Sequence, residues 1–316
     1  MKPAYVVLGM HRSGTSAATQ LLALAGCGLP ADLVPADDHN QRGYFEPWRV
    51  AVFNDERLRA AGGAWDDPFG FPFRPLDDDD AWSARARALL TGQFDPDAAP
   101  LLKDPRLSIL LPLWRPVIEQ AGLSPLCVIP VRHPMEVAGS LAKRDGFVTE
   151  KSVLLWCAYM LAAEAYSRGL PRAFVSYAAL IDDWKPQAAR IEAAHGRNLP
   201  MLDGAASEKI SAFLSPDLRH HSERAAFDPD SAAGRMAAPL FDWFMAAARD
   251  EVPDPQALSK AASDLLALQQ QMGALVSPLT RDLDQTRADL LYTRQLLELE
   301  RASYQGQIDA LKAHGH

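Results

Sequence analysis

"AYVVLGMHRSGTSAATQLLALAG", residues 4–26, passes from a β-branched apolar run through a glycine-bounded loop into a helix-like stretch. From Gly9 the loop reads G-x-x-x-x-G-T-S, one residue away from the phosphate-binding pattern G-x-x-x-x-G-K-[ST]. A strand-to-helix loop aims backbone N–H groups and the positive end of the helix dipole at one point, which is enough to hold an anion. Gly9 and Gly14 permit the turn, Ser13, Thr15 and Ser16 add hydroxyl donors, and Arg12 adds a cationic fork. Thr15 stands where the lysine for the outer phosphates would be. A magnesium-bound triphosphate is therefore disfavoured, and a smaller phosphoryl-like or sulfuryl group suits the loop better.

Working outward, further apolar runs follow at "PLLK" (100–103), "LCVIPVR" (126–132) and "RAFVSY" (172–177). Helix-like stretches lie between them, among them "PMEVAGSLAKR" and "SVLLWCAYMLAAEAYSRG". This alternation predicts a three-layer α/β fold around a central parallel sheet, with a C-terminal helical extension. In such sheets ligands bind beyond the carboxyl ends of the strands. Arg12 follows the first run; the second closes on Lys103 with Asp104 and Arg106 after it, the third on Arg132 and His133, and the fourth on Tyr177. Basic residues thus gather at one predicted edge. Arg132 and Ser140, eight residues apart, meet one anion only if the chain doubles back between them, and Pro134 suits a helix start there.

The 316 residues, 48% hydrophobic and 23% charged, suffice for one large domain or two smaller ones. A formal net charge of −8 argues against a nucleic-acid coat protein, because such binding needs surplus Lys and Arg. Cys27, Cys127 and Cys157 lie in apolar stretches without metal-ligand spacing and read as small core residues of a reducing compartment. No leader-like segment precedes the first strand run, and no apolar run reaches the ~20 residues of a membrane span. A cytoplasmic protein without a bound metal is expected.

The segment 34–100 is a long excursion holding Tyr44, Phe45, Trp48, Phe53, Trp65, Phe69, Phe71, Phe73 and Trp82. These rings either line an acceptor pocket in a lid or make a small core of their own. "DDDD" at 77–80 reads as the start of the helix-like "AWSARARALL". "LRHH" at 218–221 shows no helical metal spacing. Val276, Leu283, Leu290, Leu297, Tyr304 and Leu311 recur every seven residues and predict a long amphipathic tail helix. Thr286, Thr293 and Glu300 in the companion positions argue against a tight two-sided coiled-coil seam; packing on the body, self-association and partner docking all stay open.

"HRSGTS", "LLKDPRLSILLPLW" and "VIPVRHPMEVAGSLAKR", in that order, resemble the sulfotransferases that use phosphoadenosine phosphosulfate (PAPS), especially the branch of protein-tyrosine sulfotransferases and bacterial relatives. The resemblance covers about residues 4–195. It implies a P-loop core over 1–200; the chain's own pattern makes 34–100 a candidate lid and acceptor segment, 201–275 a helical completion of the core and 276–316 a tail. It implies that His11, Arg12, Ser13, Gly14, Thr15 and Ser16 hold the phosphosulfate, that Arg132 and Ser140 hold the ribose phosphate, and that Tyr177 lies against the adenine. Arg12 and Lys103 become candidates to stabilise charge on the leaving oxygen of adenosine 3′,5′-bisphosphate. Glu46 in "NQRGYFEPW" becomes the candidate base for an acceptor hydroxyl, with His11, His39 and Asp38 as alternatives and Arg42 as a candidate partner for Glu46. A carbohydrate is one candidate acceptor. A kinase or nucleotide hydrolase with an altered loop, and a binding or assembly protein on the same scaffold, are the competing readings.

Overall fold

The computed structural model describes residues 1–37, 40, 42–71, 80–214 and 226–314, with backbone alone at 291, 295, 299, 303 and 306–314. Asp38, His39, Phe73, Asp77, Asp78, Asp79 and the run 218–221 lie outside the described residues, as does the Leu311 side chain. In chain order the elements are β1 (Lys2–Val7), α1 (Thr15–Leu24), α2 (Trp48–Ala60), α3 (Asp80–Gln93), β2 (Leu101–Lys103), α4 (Leu107–Gln120), β3 (Leu123–Val131), α5 (Pro134–Asp145), α6 (Thr149–Tyr166), β4 (Arg172–Ser176), α7 (Tyr177–Asp182), α8 (Trp184–His195), α9 (Gly204–Phe213), α10 (Ala232–Ala247) and α11 (Gln256–His314).

Strands that read as continuous apolar runs are those covered on both faces, and helices do cover both faces of this sheet. Four parallel strands lie in the order β2-β1-β3-β4. Alternate strand residues go to opposite layers. Val6, Cys127, Ile129 and Phe174 pack with Leu110, Trp114, Trp156 and Phe244 on one face. Tyr5, Val7, Val128 and Val175 pack with Leu21, Leu22, Leu180 and Ile191 on the other. The architecture is the three-layer α/β fold expected from the alternation of runs. All three cysteines are buried and unbridged, and burial pushes the Cys127 thiol up to about 12.

Topology fixes where a ligand fits. The chain leaves β1 for β2 on one side and later returns to β3 on the other, so the crevice at the carboxyl end of β1 is a topological switch point. Register brings Val7 beside Lys103 and Val128, and Val131 beside Ser176. The loop after β1, the last residue of β2, Arg132 after β3 and Tyr177 after β4 therefore share one edge. Among the described residues no helix is long and apolar enough to cross a membrane.

Candidate active site

Gly14 N-caps α1 with φ of +91°, a conformation that disfavours side chains, and a Cβ there would lie 2.3 Å from Cδ2 of Tyr177. Two constraints thus demand glycine at one position. The Gly9 amide donates to Ser108 Oγ at 2.7 Å, pinning the start of the loop to α4. Arg12, between the two glycines, also takes a left-handed φ of +66°. For a non-glycine residue that costs about 1–2 kcal/mol and is met where surrounding contacts enforce it.

Those contacts come from β3 and α5. Arg132 Nη1 donates to the Arg12 carbonyl at 3.1 Å, and Arg12 Nε donates to Ser140 Oγ at 2.8 Å. The doubling back that Arg132 and Ser140 require is supplied by His133, which N-caps α5 by accepting from the Met135 amide, and by Pro134 in the first turn. Arg132 also pairs with Glu136 at 2.9 Å, and its guanidinium lies 4.7 Å from the Tyr177 ring centroid. Arg12, Gly14, Arg132, Ser140 and Tyr177 are thereby brought together.

Glu136, Ser140 and Arg144 follow one another at four-residue spacing and share a face of α5. Arg144 was not singled out in the sequence, although this spacing from Ser140 marks it. It pairs with Asp145 at 2.8 Å and lies 5.4 Å over Trp65. Burial, and then Arg144, hold the Arg12 guanidinium below its ordinary range. Like charges have been collected here, which fits a place for an anion.

His11 and Ser13 add polar atoms that await a partner. Both are buried, and neither His11 Nε2 nor Ser13 Oγ has a hydrogen bond. The His11 ring stands 4.6 Å from Trp65 and 6.0 Å from Tyr159. Burial first, and then the charges of Arg106, Arg144, Lys103 and Arg12, push the imidazole well below its ordinary pKa. It is neutral, so it offers a hydrogen bond and not a cation. Buried polar groups left unpaired are rare enough in native proteins that each calls for an account, and an anion in the loop supplies one.

At the other end of the loop Lys103 Nζ donates to Glu46 Oε1 at 2.6 Å, to the Tyr44 carbonyl at 2.9 Å and to Ser16 Oγ at 3.5 Å. Both side chains of the pair are buried. Burial pushes the Lys103 ammonium down, and the Glu46 carboxylate opposes that. Ser16 Oγ donates to the same Tyr44 carbonyl at 3.2 Å, and Asn40 Nδ2 holds the Gly43 carbonyl at 2.8 Å. Phe45, next to Glu46, has a left-handed φ of +56°, so the second candidate catalytic segment also carries local strain.

Asp104 and Arg106 organise what stands behind the pair. Asp104 accepts from Asn54 Nδ2 at 2.7 Å and from Arg106 Nη1 at 2.8 Å, and Asn54 in turn accepts from Trp114 at 2.9 Å. Arg106 also reaches Asp55 at 2.6 Å. This buried network ties α2, which follows Glu46, to α4, which follows Lys103. Asn54 lies outside the quoted motifs, and Asn40, Tyr44 and Ser108 lie inside them without an assigned role; their place in the site shows only in these contacts.

Glu46 finds its partner in Lys103, while Arg42 donates to the Phe213 carbonyl and lies 5.4 Å from the Phe213 ring centroid. The buried rings of the 34–100 segment join the main core and form none of their own. Phe53 and Phe69 are buried in the core, Trp65 borders His11, and Trp48 is exposed. Among the described residues no group of three or more His, Cys, Asp or Glu side chains is placed to hold a metal ion.

Fold and site define an α/β protein with a cationic strand–loop–helix cradle at the carboxyl edge of a parallel sheet. No family profile and no curated protein matches the chain. Similar solved structures include a sulfotransferase from Mycobacterium tuberculosis, at 14% identity and a TM-score of 0.39 over 67% of this chain and 72% of that one. A second is the sulfotransferase domain of a Synechococcus olefin synthase, at 16% identity and 0.42 over 86% and 94%. A third is the sulfotransferase domain of the curacin biosynthetic pathway, at 13% identity and 0.38 over 84% and 98%. Likenesses of this degree assign no activity, and the chemistry has to come from the site's own residues.

Proposed function

We propose that the chain is a sulfotransferase that binds PAPS in the loop and passes its sulfuryl group to an acceptor hydroxyl, with a carbohydrate hydroxyl among the candidates. The observation that carries this reading is the position of Lys103, 2.6 Å from Glu46 and 3.5 Å from Ser16 of the loop. A buried cation, a carboxylate able to accept a proton and an anion-binding loop meet around one point. The unpartnered Ser13 Oγ and His11 Nε2 and the cluster of Arg12, Arg132 and Arg144 suit a ligand that carries two separate anionic groups.

In this reading His11 to Ser16 would hold the phosphosulfate, Arg132 and Ser140 the ribose phosphate, and Tyr177 would border the nucleoside. The donor supplies an electrophilic sulfur and a stable leaving group. Glu46 would accept the proton of the attacking hydroxyl as general base. Lys103, itself buried, and Arg12 would place positive charge where the leaving oxygen becomes negative. Pairing in the resting protein keeps the charge of Glu46 balanced until an acceptor hydroxyl takes its place against the carboxylate. We place the reaction in the cytoplasm, whose reducing conditions suit three buried, unbridged thiols.

Transfer of labelled sulfate from PAPS to a panel of sugars, phenols and tyrosyl peptides tests the reading. Label should move to at least one hydroxyl class without added divalent metal. Tight binding of ATP–magnesium with no response to adenosine 3′,5′-bisphosphate would overturn it.

A further inference from the structure

The 59-residue helix α11 is about 90 Å long. Its first part is fastened to the body. Leu258, Ala261 and Leu265 are buried, Gln269 donates to the Phe69 carbonyl at 2.8 Å, Asp284 pairs with Arg59 at 2.7 Å, and Arg287 pairs with Asp66 at 3.0 Å. Further along, Arg294 pairs with Glu298 within the helix itself.

A second face of the same helix is apolar and turned outward. Met272, Leu275, Leu279, Leu283, Leu290, Leu297 and Tyr304 are 41–64% exposed. At 3.6 residues per turn they fall within about 80° of the helix circumference. Along this stretch the body-facing positions Gly273, Thr280, Asp284 and Arg287 lie about a quarter-turn away, whereas the earlier anchors Leu258, Ala261 and Leu265 fall on the stripe's own line and are covered by the body. From Leu283 the stripe repeats every seven residues, the period that winds two helices into a left-handed coil.

Two of the three polar companion layers have their hydroxyls bonded within the helix. Thr286 Oγ1 donates to the Asp282 carbonyl and Thr293 Oγ1 to the Asp289 carbonyl, both at 2.8 Å. With its hydroxyl bonded inside the helix, each threonine can offer a seam its methyl group. Glu300 remains a polar layer near the tip.

Charge decides the orientation. With Leu283, Leu290 and Leu297 as the seam, one flank carries Arg287, Arg294 and Arg301 and the other Asp282, Asp289 and Leu296. In a parallel pair a flank residue meets the one five positions further along the partner's opposite flank. Asp289 then faces Arg294 of the second copy, while Arg287, the counterpart of Asp282, stays tied to Asp66 of its own body; antiparallel helices would set arginine against arginine and aspartate against aspartate. We propose that the outer face of α11 is a homodimer interface, joining two copies in parallel and in register. This holds whatever the site transfers.

The full chain tests it by light scattering across a concentration series, with thermal unfolding of the body as the folding control. The mass should double with concentration. Leu290→Asp with Leu297→Asp should return it to that of one chain while the body melts unchanged, because both residues face solvent. Asp289→Arg should weaken association by 10-fold or more, and Asp289→Arg with Arg294→Asp should restore it. Tyr304→Cys should form an intermolecular disulfide on oxidation, since the native cysteines are buried. A monomer at every concentration, a larger oligomer, or a dimer that does not cross-link through position 304 would each overturn the proposal.

Discussion

At the Arg132 end of the site three guanidiniums stand close together against two carboxylates, Glu136 and Asp145, while at the Lys103 end one ammonium and one carboxylate are buried against each other. One end carries standing positive charge and the other is neutral as a pair. An anionic group that is held unchanged throughout a reaction suits the first. A proton transfer, which needs its charges to be redistributed, suits the second.

The largest effect should come from breaking the neutral pair. Lys103→Ala strands a buried carboxylate, and loss of one partner from such a pair costs about 3–5 kcal/mol. Chemical denaturation should show that loss, and the double variant Lys103→Ala with Glu46→Ala should recover most of it, because the pair as a whole adds little net stability. Turnover should not return with the double variant. Glu46→Gln should lower kcat by about 100- to 10,000-fold, the usual worth of a general base. Wild-type turnover in that variant would remove Glu46 from the chemistry.

The cationic end should answer in binding instead. A hydrogen bond to a charged group contributes about 1.5–3 kcal/mol, so Arg132→Ala should weaken adenosine 3′,5′-bisphosphate by about 10- to 150-fold in calorimetry. Ser140→Ala, which removes one hydroxyl donor but no charge, should cost about 10-fold, the low end of that range. Equal losses in both variants would mean that the ribose phosphate sits elsewhere.

How much of this could be read from the chain varies with the range of the contact. The strand runs and the cations closing them were legible, because parallel strands buried on both faces must be apolar and their ligand edge is fixed by topology. Arg144 was legible in principle, four residues after Ser140 on one helix. The Lys103–Glu46 pair joins residues 57 apart, and the Gly9–Ser108 bond residues 99 apart, and no local pattern records such contacts. Likewise the start of α11 at Gln256 was hidden, because its first turns are held by packing and not by a seven-residue repeat.

A smaller effect separates structural from site histidines. Burial holds His195 below its ordinary pKa, and its Nε2 lies 3.0 Å from the Cys127 carbonyl. The unfolded chain, with a histidine pKa of about 6.5, then binds a proton that the folded chain does not, so stability falls as pH drops below that value. His195→Gln should flatten that fall below pH ~6.5 in denaturation curves. His11 shares the sign, but an anion in the loop should raise its pKa and His195 should not respond.

The lysine-free loop and the Arg132 cluster are proposed to hold together a ligand with two anionic ends. Calorimetric titration of adenosine 3′,5′-bisphosphate, with a chelator present, tests it most directly. Binding should be one-to-one, insensitive to the chelator, weaker with rising salt and weakened by Arg132→Ala. Binding of ATP only with magnesium, together with no heat from the bisphosphate, would contradict it.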